Sequence, residues 1–139
     1  MVSREDVEGF LIRMDLDYQE VDEGMFLAHG DNGGAGVVVH HSDPVLVLRL
    51  KMMDLPAEPE DELTGLYRTL LELNATDIVH GAYGIEEGEL ILTDTLELEN
   101  LDFTELQASI ESLQLAASSH MGRIRELAQA SSAPQAMEG

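Results

Sequence analysis

The chain of 139 residues contains no cysteine and no tryptophan, and it has only three tyrosines and three phenylalanines. Without a thiol it can form no disulfide, use no thiolate nucleophile and bind no metal through sulfur. So few aromatic rings argue against stacking on single-stranded nucleic acid. The apolar runs are too short to predict a membrane span, and no apolar signal core follows the first charged residues. We therefore expect a soluble cytoplasmic protein.

Basic residues are also scarce. Lys and Arg together number 7 against 28 Asp and Glu, so the formal net charge at pH 7 is −21. A field of this sign repels nucleic acid and anionic membranes. It is typical of a solvated acidic surface, which suits a salty cytoplasm, but it also favours a basic protein partner. The composition leaves both interpretations open.

The clearest pattern begins at Leu63 and predicts a helix followed by a β-hairpin. We expect Asn74 to end the helix, because Asn tolerates the left-handed conformation found at helix C-termini. Residues 78–85 and 89–96 read as two strands, and Gly88 lies in the turn between them.

The apolar positions of this helix cover an arc of about 160°, which is wider than packing against one core requires. The width indicates burial on two sides, either against the sheet and a second copy of the chain or deep inside a monomer. For the first case the predicted dimer interface consists of Leu63, Leu66, Tyr67, Leu70 and Leu73.

A first helix is predicted to begin at Ser3, where Asp6 completes a capping box. Strands are expected at residues 25–29, 36–41 and 45–53, and residues 18–22 form at most a brief strand. The strand at 45–53 has a core face and a mixed face. The core face carries Leu46, Leu48, Leu50 and Met52, and the mixed face carries Val45, Val47, Arg49, Lys51 and Met53.

Asp102 and Glu105 predict the start of a long third helix, whose apolar stripe continues to Leu127 with His120 filling one gap. The predicted order is α-β-β-β-α-β-β-α, an α+β fold with one antiparallel sheet and helices packed on it. Residues 1–130 are expected to form a single domain, and residues 131–139 a disordered tail.

The chain offers no recognisable catalytic or cofactor motif. His40 and His41 are adjacent in a strand and point to opposite faces, so they cannot easily share one metal ion. A metal site that uses His29 with one of them remains an alternative. The glycine-rich residues 30–36 lack the Lys-Ser/Thr of a phosphate-binding loop and lead into a strand. We predict no catalytic residue, no metal and no cofactor.

Residues 40–56 and 66–102 resemble the YbjN domain, which is similar to class I type III secretion chaperones of the Tir-chaperone kind. The resemblance rests on LLELN at 70–74, on the hairpin after it, and on the leucine-rich approach to Leu101-Asp102. It implies a compact α+β fold, a dimer and no enzymatic activity. It also implies binding of an extended effector segment along apolar surface grooves.

Two functional hypotheses follow. The first is a chaperone-like, non-catalytic module that binds a segment of a partner protein as a homodimer. Its predicted partner-binding residues are Phe10, Leu11 and Met14 on the first helix, and Val45, Val47 and Met53 on the mixed sheet face. Alternatively, these six side chains simply fill the core. The second hypothesis is a YbjN-type regulatory or scaffolding dimer that binds a folded partner.

Overall fold

The computed structural model describes residues 1–29, 35–56 and 63–132. Three helices and six strands follow one another as α1 Arg4–Arg13, β1 Asp17–Asp22, β2 Met25–His29, β3 Val37–Ser42, β4 Val45–Asp54, α2 Thr64–Thr76, β5 Ala82–Glu86, β6 Glu89–Glu97 and α3 Phe103–Ser132. In these ranges no helix is long and apolar enough to cross a membrane.

The six strands form one antiparallel sheet in the order β1-β2-β3-β4-β6-β5. The predicted α+β class is confirmed, but the predicted element order is one strand short, because four strands precede α2. The additional strand is β1, which pairs with β2 at the edge of the sheet. All but one of its side chains are exposed, so it lacks the alternation that identifies a half-buried strand.

The core lies between one face of the sheet and the three helices. On β4 the predicted core face is confirmed, since Leu46, Leu48 and Leu50 are fully buried and Met52 nearly so. Val7 and Leu11 of α1 join the same core, as do the apolar positions of α3, namely Leu106, Ile110, Leu113, Ala117 and Ile124. The opposite face of the sheet carries the other half of each strand's side chains.

Both predicted capping boxes are present. The backbone N–H of Asp6 donates to Ser3 Oγ at 3.1 Å, and the Asp6 carboxylate accepts from the Ser3 N–H at 3.0 Å. At the start of α3 the Glu105 N–H donates to Asp102 Oδ1 at 2.8 Å, and Asp102 N–H donates to Glu105 Oε1 at 3.1 Å. Each box satisfies backbone N–H groups that the first helical turn leaves unpaired.

The reason predicted for the end of α2, a left-handed conformation at Asn74, is wrong. Asn74 is helical, α2 continues to Thr76, and the capping residue Asp77 has φ −112°, outside the left-handed region. The first strand of the hairpin is also shorter than predicted, since β5 begins at Ala82 rather than at residue 78.

Gly81 explains the late start of β5. Its φ is +94°, and a Cβ at this position would lie 2.7 Å from the carbonyl oxygen of Thr93 and 2.8 Å from Leu113 Cδ2. Only glycine fits so close to both neighbours at this φ. The turn between β5 and β6 is as predicted, with Glu87 at φ 50° and Gly88 at φ 79°, which matches the twist of a two-residue hairpin.

The predicted tail does not begin at residue 131, because Ser131 and Ser132 belong to α3. The remaining tail residues, 133–139, lie outside the described residues. So do residues 30–34 of the glycine-rich loop and residues 57–62, which precede α2.

Candidate functional site

The apolar stripe of α2 divides into a buried and an exposed part. Four residues of the predicted dimer interface, Leu63, Leu66, Leu70 and Leu73, lie in the core of the single chain and are at most 7% exposed. Tyr67 is half-buried, and Leu71 is 69% exposed. The deep setting of α2 thus accounts for the four leucines, and the dimer interface itself stays a prediction.

A shallow apolar groove of about 230 Å³ runs between α2 and the edge strand β5. We call its outer surface the α2–β5 face, defined by Tyr67, Leu71 and Ile85. Ile85 is 52% exposed, and the residues that the structure describes along the groove include no charged side chain. On a chain with a net charge of −21 this face is locally neutral.

Asn74 covers part of the β5 edge. Its Oδ1 accepts a hydrogen bond from the Tyr83 backbone N–H at 2.7 Å, and its Nδ2 donates to the Tyr83 carbonyl oxygen at 3.3 Å. The side-chain amide therefore takes the place of a neighbouring strand at that residue. Sequence reasoning missed this role because it assigned Asn74 to the helix end.

The predicted partner-binding residues do not lie together. Leu11 is fully buried, and Phe10, Met14 and Met53 pack against the core. Phe10 also makes an edge-to-face contact with Phe103, at 6.2 Å between ring centroids. Of the six, only Val45 and Val47 are half-buried without joining the core.

These two valines belong to what we call the open sheet face, the side of the sheet turned away from the core. Here the apolar side chains of Met25, Leu27, Val38, Val45 and Val47 are half-buried. Leu27 pairs with Val38, and His40 pairs with both Met25 and Val47, so the five lie on three adjacent strands. In β2 and β3 the apolar residues follow one another without a break, so the sequence predicted two strands but did not indicate which side chains lie outside the core.

Basic side chains border the open sheet face, and each is paired with an acid. Arg49 Nη2 lies 3.2 Å from Glu86 Oε2, and Lys51 Nζ lies 3.0 Å from Asp54 and 3.2 Å from Glu89. All of these side chains are about half exposed or more, so the ion pairs add little stability. They do leave this border close to electrically neutral.

Within the described ranges no group of three or more His, Asp or Glu side chains is placed to hold a metal ion. His41 Nε2 lies 3.0 Å from the carbonyl oxygen of Val2, which ties β3 to the amino-terminal residues. His40 lies on the open sheet face, where it is the cross-strand neighbour of Met25 and Val47.

A hydrogen-bonded chain of three side chains joins β5, α3 and the end of α2. Tyr83 Oη lies 2.7 Å from His120 Nδ1, and His120 Nε2 lies 3.1 Å from Asp77 Oδ2. A neutral imidazole can accept from the tyrosine and donate to the carboxylate. Burial, reinforced by the charge of Asp77, raises the pKa of Tyr83 well above its usual value. The phenol of Tyr83 therefore stays protonated, and the three hydrogen-bonded side chains hold β5, α3 and the end of α2 together.

The comparisons with known proteins agree with this fold. The model of the CesT_Tir_1 family matches residues 2–130, whereas no curated protein sequence matches significantly. One similar solved structure is the heterodimeric ExoU–SpcU complex of the Pseudomonas aeruginosa type III secretion system. There the TM-score is 0.65 at 14% identity, covering 84% of this chain and 95% of that chain.

Two further structures share the fold. The HopA1–SchA chaperone–effector complex matches with a TM-score of 0.59 at 14% identity, over 82% of this chain and 88% of that chain. YbjN from E. coli matches with a TM-score of 0.64 at 13% identity, over 87% and 92%. The resemblance inferred from residues 40–56 and 66–102 is thereby confirmed. Since the family model spans nearly the whole chain, the protein belongs to the CesT_Tir_1 family.

Proposed function

We propose that the protein is a chaperone-like, non-catalytic binding module that acts as a homodimer in the cytoplasm and holds a segment of a partner protein. Its family and its similarity to a chaperone–effector complex support a protein partner. The observation that carries the proposal is the open sheet face, where five apolar side chains are half-buried outside the core.

An extended or helical segment suits this face. The five side chains form a strip across three strands, and a covering segment would remove their remaining apolar area from water at about 25 cal/mol per Å². The bordering cations Arg49 and Lys51 are already paired with acids. The contact with the partner is therefore mainly apolar in character.

The α1 residues have a different role in this proposal. Because Leu11 is fully buried, and Phe10 and Met14 pack against the core, the core-filling alternative accounts for them better. The proposed partner site thus keeps Val45 and Val47 from the sequence prediction and adds Met25, Leu27 and Val38.

The proposed homodimer forms through the α2–β5 face. Two copies that each carry a net charge of −21 repel one another, and the repulsion is weakest where the surface has no net charge. The α2–β5 groove is lined by apolar and neutral side chains, and the nearby Arg68 is paired with Glu72 at 3.4 Å. Tyr67, Leu71 and Ile85 are the residues that a two-fold contact would bury.

The partner proposal is tested with a tagged protein purified from its native host and treated with protease. We expect a stoichiometric partner that is protected over one short segment. Replacing Val45 and Val47 by Ser should abolish its capture without unfolding the chain. Val21→Ser, at a 48% exposed valine on the edge strand, is the control and should bind normally. If the double variant still captures the partner, the open sheet face is not the site.

The homodimer proposal is tested by light scattering coupled to gel filtration. We expect a dimer for the wild-type chain and a monomer for Leu71→Glu, because a buried unpaired carboxylate is costly. Ile12→Glu, at a 60% exposed position on α1, should remain dimeric. A monomeric wild-type protein at micromolar concentration would contradict the proposal.

A second candidate function is a regulatory or scaffolding dimer, which the structural similarity to YbjN, a candidate transcription regulator, favours. In the same pull-down it predicts a folded partner that resists protease over its whole length. The net charge of −21 makes direct contact with DNA unfavourable, so such a protein would act through another protein.

A further inference from the structure

A second groove lies on the helical side of the molecule, away from the open sheet face. It has a volume of about 430 Å³ and runs between α3 and the segment 77–80 that joins α2 to β5. Ser112 holds that segment, because its hydroxyl accepts from the His80 N–H at 3.0 Å and donates to the His80 carbonyl oxygen at 3.1 Å. The contact between His120 and Asp77 fixes the other end. We call this feature the α3 groove.

Exposed apolar side chains line the α3 groove. Val79 is 80% exposed, more than any other large apolar side chain in the described part of the protein, and Leu115 is 68% exposed. Both line the groove, together with the small side chains of Ala108 and Ala116. An apolar side chain of a partner that inserts here would bury surface that the folded chain leaves in water.

The charged rim determines which partner fits. The carboxylates along the groove are Asp77 and Glu111, and among its described lining residues there is no Lys or Arg. The net charge of −21 adds to this negative potential. A second copy of the chain is therefore disfavoured here, in contrast to the neutral α2–β5 face, and a basic segment is favoured.

We propose that the α3 groove binds a short, amphipathic, basic segment of a partner protein. Its apolar side chains lie between Val79 and Leu115, and its Lys or Arg side chains pair with Asp77 and Glu111. This site is separate from the open sheet face and does not depend on the function proposed for it, because α3 covers the other side of the sheet.

The probe is a short labelled peptide of Leu and Lys with helical amphipathic spacing, measured by fluorescence anisotropy at near-physiological salt. Its Leu/Glu counterpart and a peptide of Lys and Ser are the peptide controls. We expect binding of the Leu/Lys peptide only. Equal binding of the Lys/Ser peptide would reduce the interaction to bulk charge attraction and overturn the proposal, as would no binding at all.

Matched variants locate the site. Leu115→Ser should weaken binding about tenfold, since a leucine contact is lost. Ile12→Ser, at a 60% exposed isoleucine on α1 outside the α2–β5 face, should change nothing. Glu111→Gln should weaken binding about threefold, as expected for an exposed ion pair. Glu126→Gln, farther along α3, should have no effect. Equal losses in each variant and its control would overturn the proposal.

One further variant separates this inference from the proposed function. The chain with Val45 and Val47 replaced by Ser should bind the Leu/Lys peptide like the wild type. If it does not, the peptide occupies the open sheet face, and the α3 groove inference fails while the proposed function stands. The substituted side chains of the α3 groove are exposed, so we expect every variant to fold. Thermal melts of each variant check this.

Discussion

Replacing Asn74 by Ala tests whether the side-chain amide stabilises the edge of the sheet. The change removes the two hydrogen bonds to the backbone of Tyr83, at 2.7 and 3.3 Å. Each such bond contributes about 0.5–1.5 kcal/mol net, so we expect the free energy of unfolding to fall by about 2 kcal/mol. For a domain of this size the melting temperature should drop by roughly 7 °C.

Urea unfolding followed by circular dichroism measures the loss. Arg68→Ala is the control on the same helix, since it breaks only an exposed ion pair with Glu72 and should cost less than about 0.5 kcal/mol. The reasoning is refuted if Asn74→Ala costs no more than Arg68→Ala. That result would mean that water satisfies the Tyr83 backbone as well as the amide does.

The same variant has a second expected effect. With the amide gone, the N–H and carbonyl of Tyr83 become available to a strand of another molecule, as on any open sheet edge. Light scattering of Asn74→Ala should therefore rise with protein concentration faster than that of the wild type. Unchanged scattering would show that the neighbouring side chains alone protect the edge.

Three further changes test other parts of the fold. Gly81→Ala should destabilise the chain by about 2–4 kcal/mol in urea unfolding, because its φ is +94° and the added Cβ has no room. Gly9→Ala in α1, where the added Cβ meets nothing within 4 Å, should stabilise the chain by about 0.5–1 kcal/mol. Above pH ~10 the free energy of unfolding should fall by up to about 1.4 kcal/mol per pH unit. The reason is that Tyr83 ionises in the unfolded chain, whereas burial raises the pKa of Tyr83 in the folded chain and keeps it protonated. Tyr83→Phe should show a shallower alkaline decline in the same titration. Asp102→Ala should lower the melting temperature by an amount equivalent to about 1 kcal/mol, because α3 loses its cap; an unchanged melt would contradict this role.

The features that could be predicted from the sequence depend on nearby residues. Each capping box joins groups three positions apart, so Ser3 with Asp6 and Asp102 with Glu105 identify two helix starts without tertiary information. The alternation along β4 identifies its buried face in the same way, because successive side chains in a strand point to opposite sides.

The features that were missed depend on distant residues. The role of Asn74 appears only when β5 lies beside α2, and the role of Gly81 only when β6 and α3 approach it. The wide stripe of α2 is covered in part by this chain's own core, which contains Leu70 and Leu73, whereas Leu71 is exposed. It could not tell whether a second chain or this chain's own elements cover Leu63 and Leu66.

The strand order has a consequence for how the chain folds. The β1–β4 meander and the β5–β6 hairpin are each built from segments that are neighbours in the sequence. The β4–β6 ladder instead pairs residues that lie dozens of positions apart, with α2 and β5 between them. Closing that loop costs entropy before the central pairing repays it. Formation of the β4–β6 ladder should therefore set the refolding rate. Substitutions in the central strands should slow folding, whereas changes on the edge strand β1 should mainly speed unfolding.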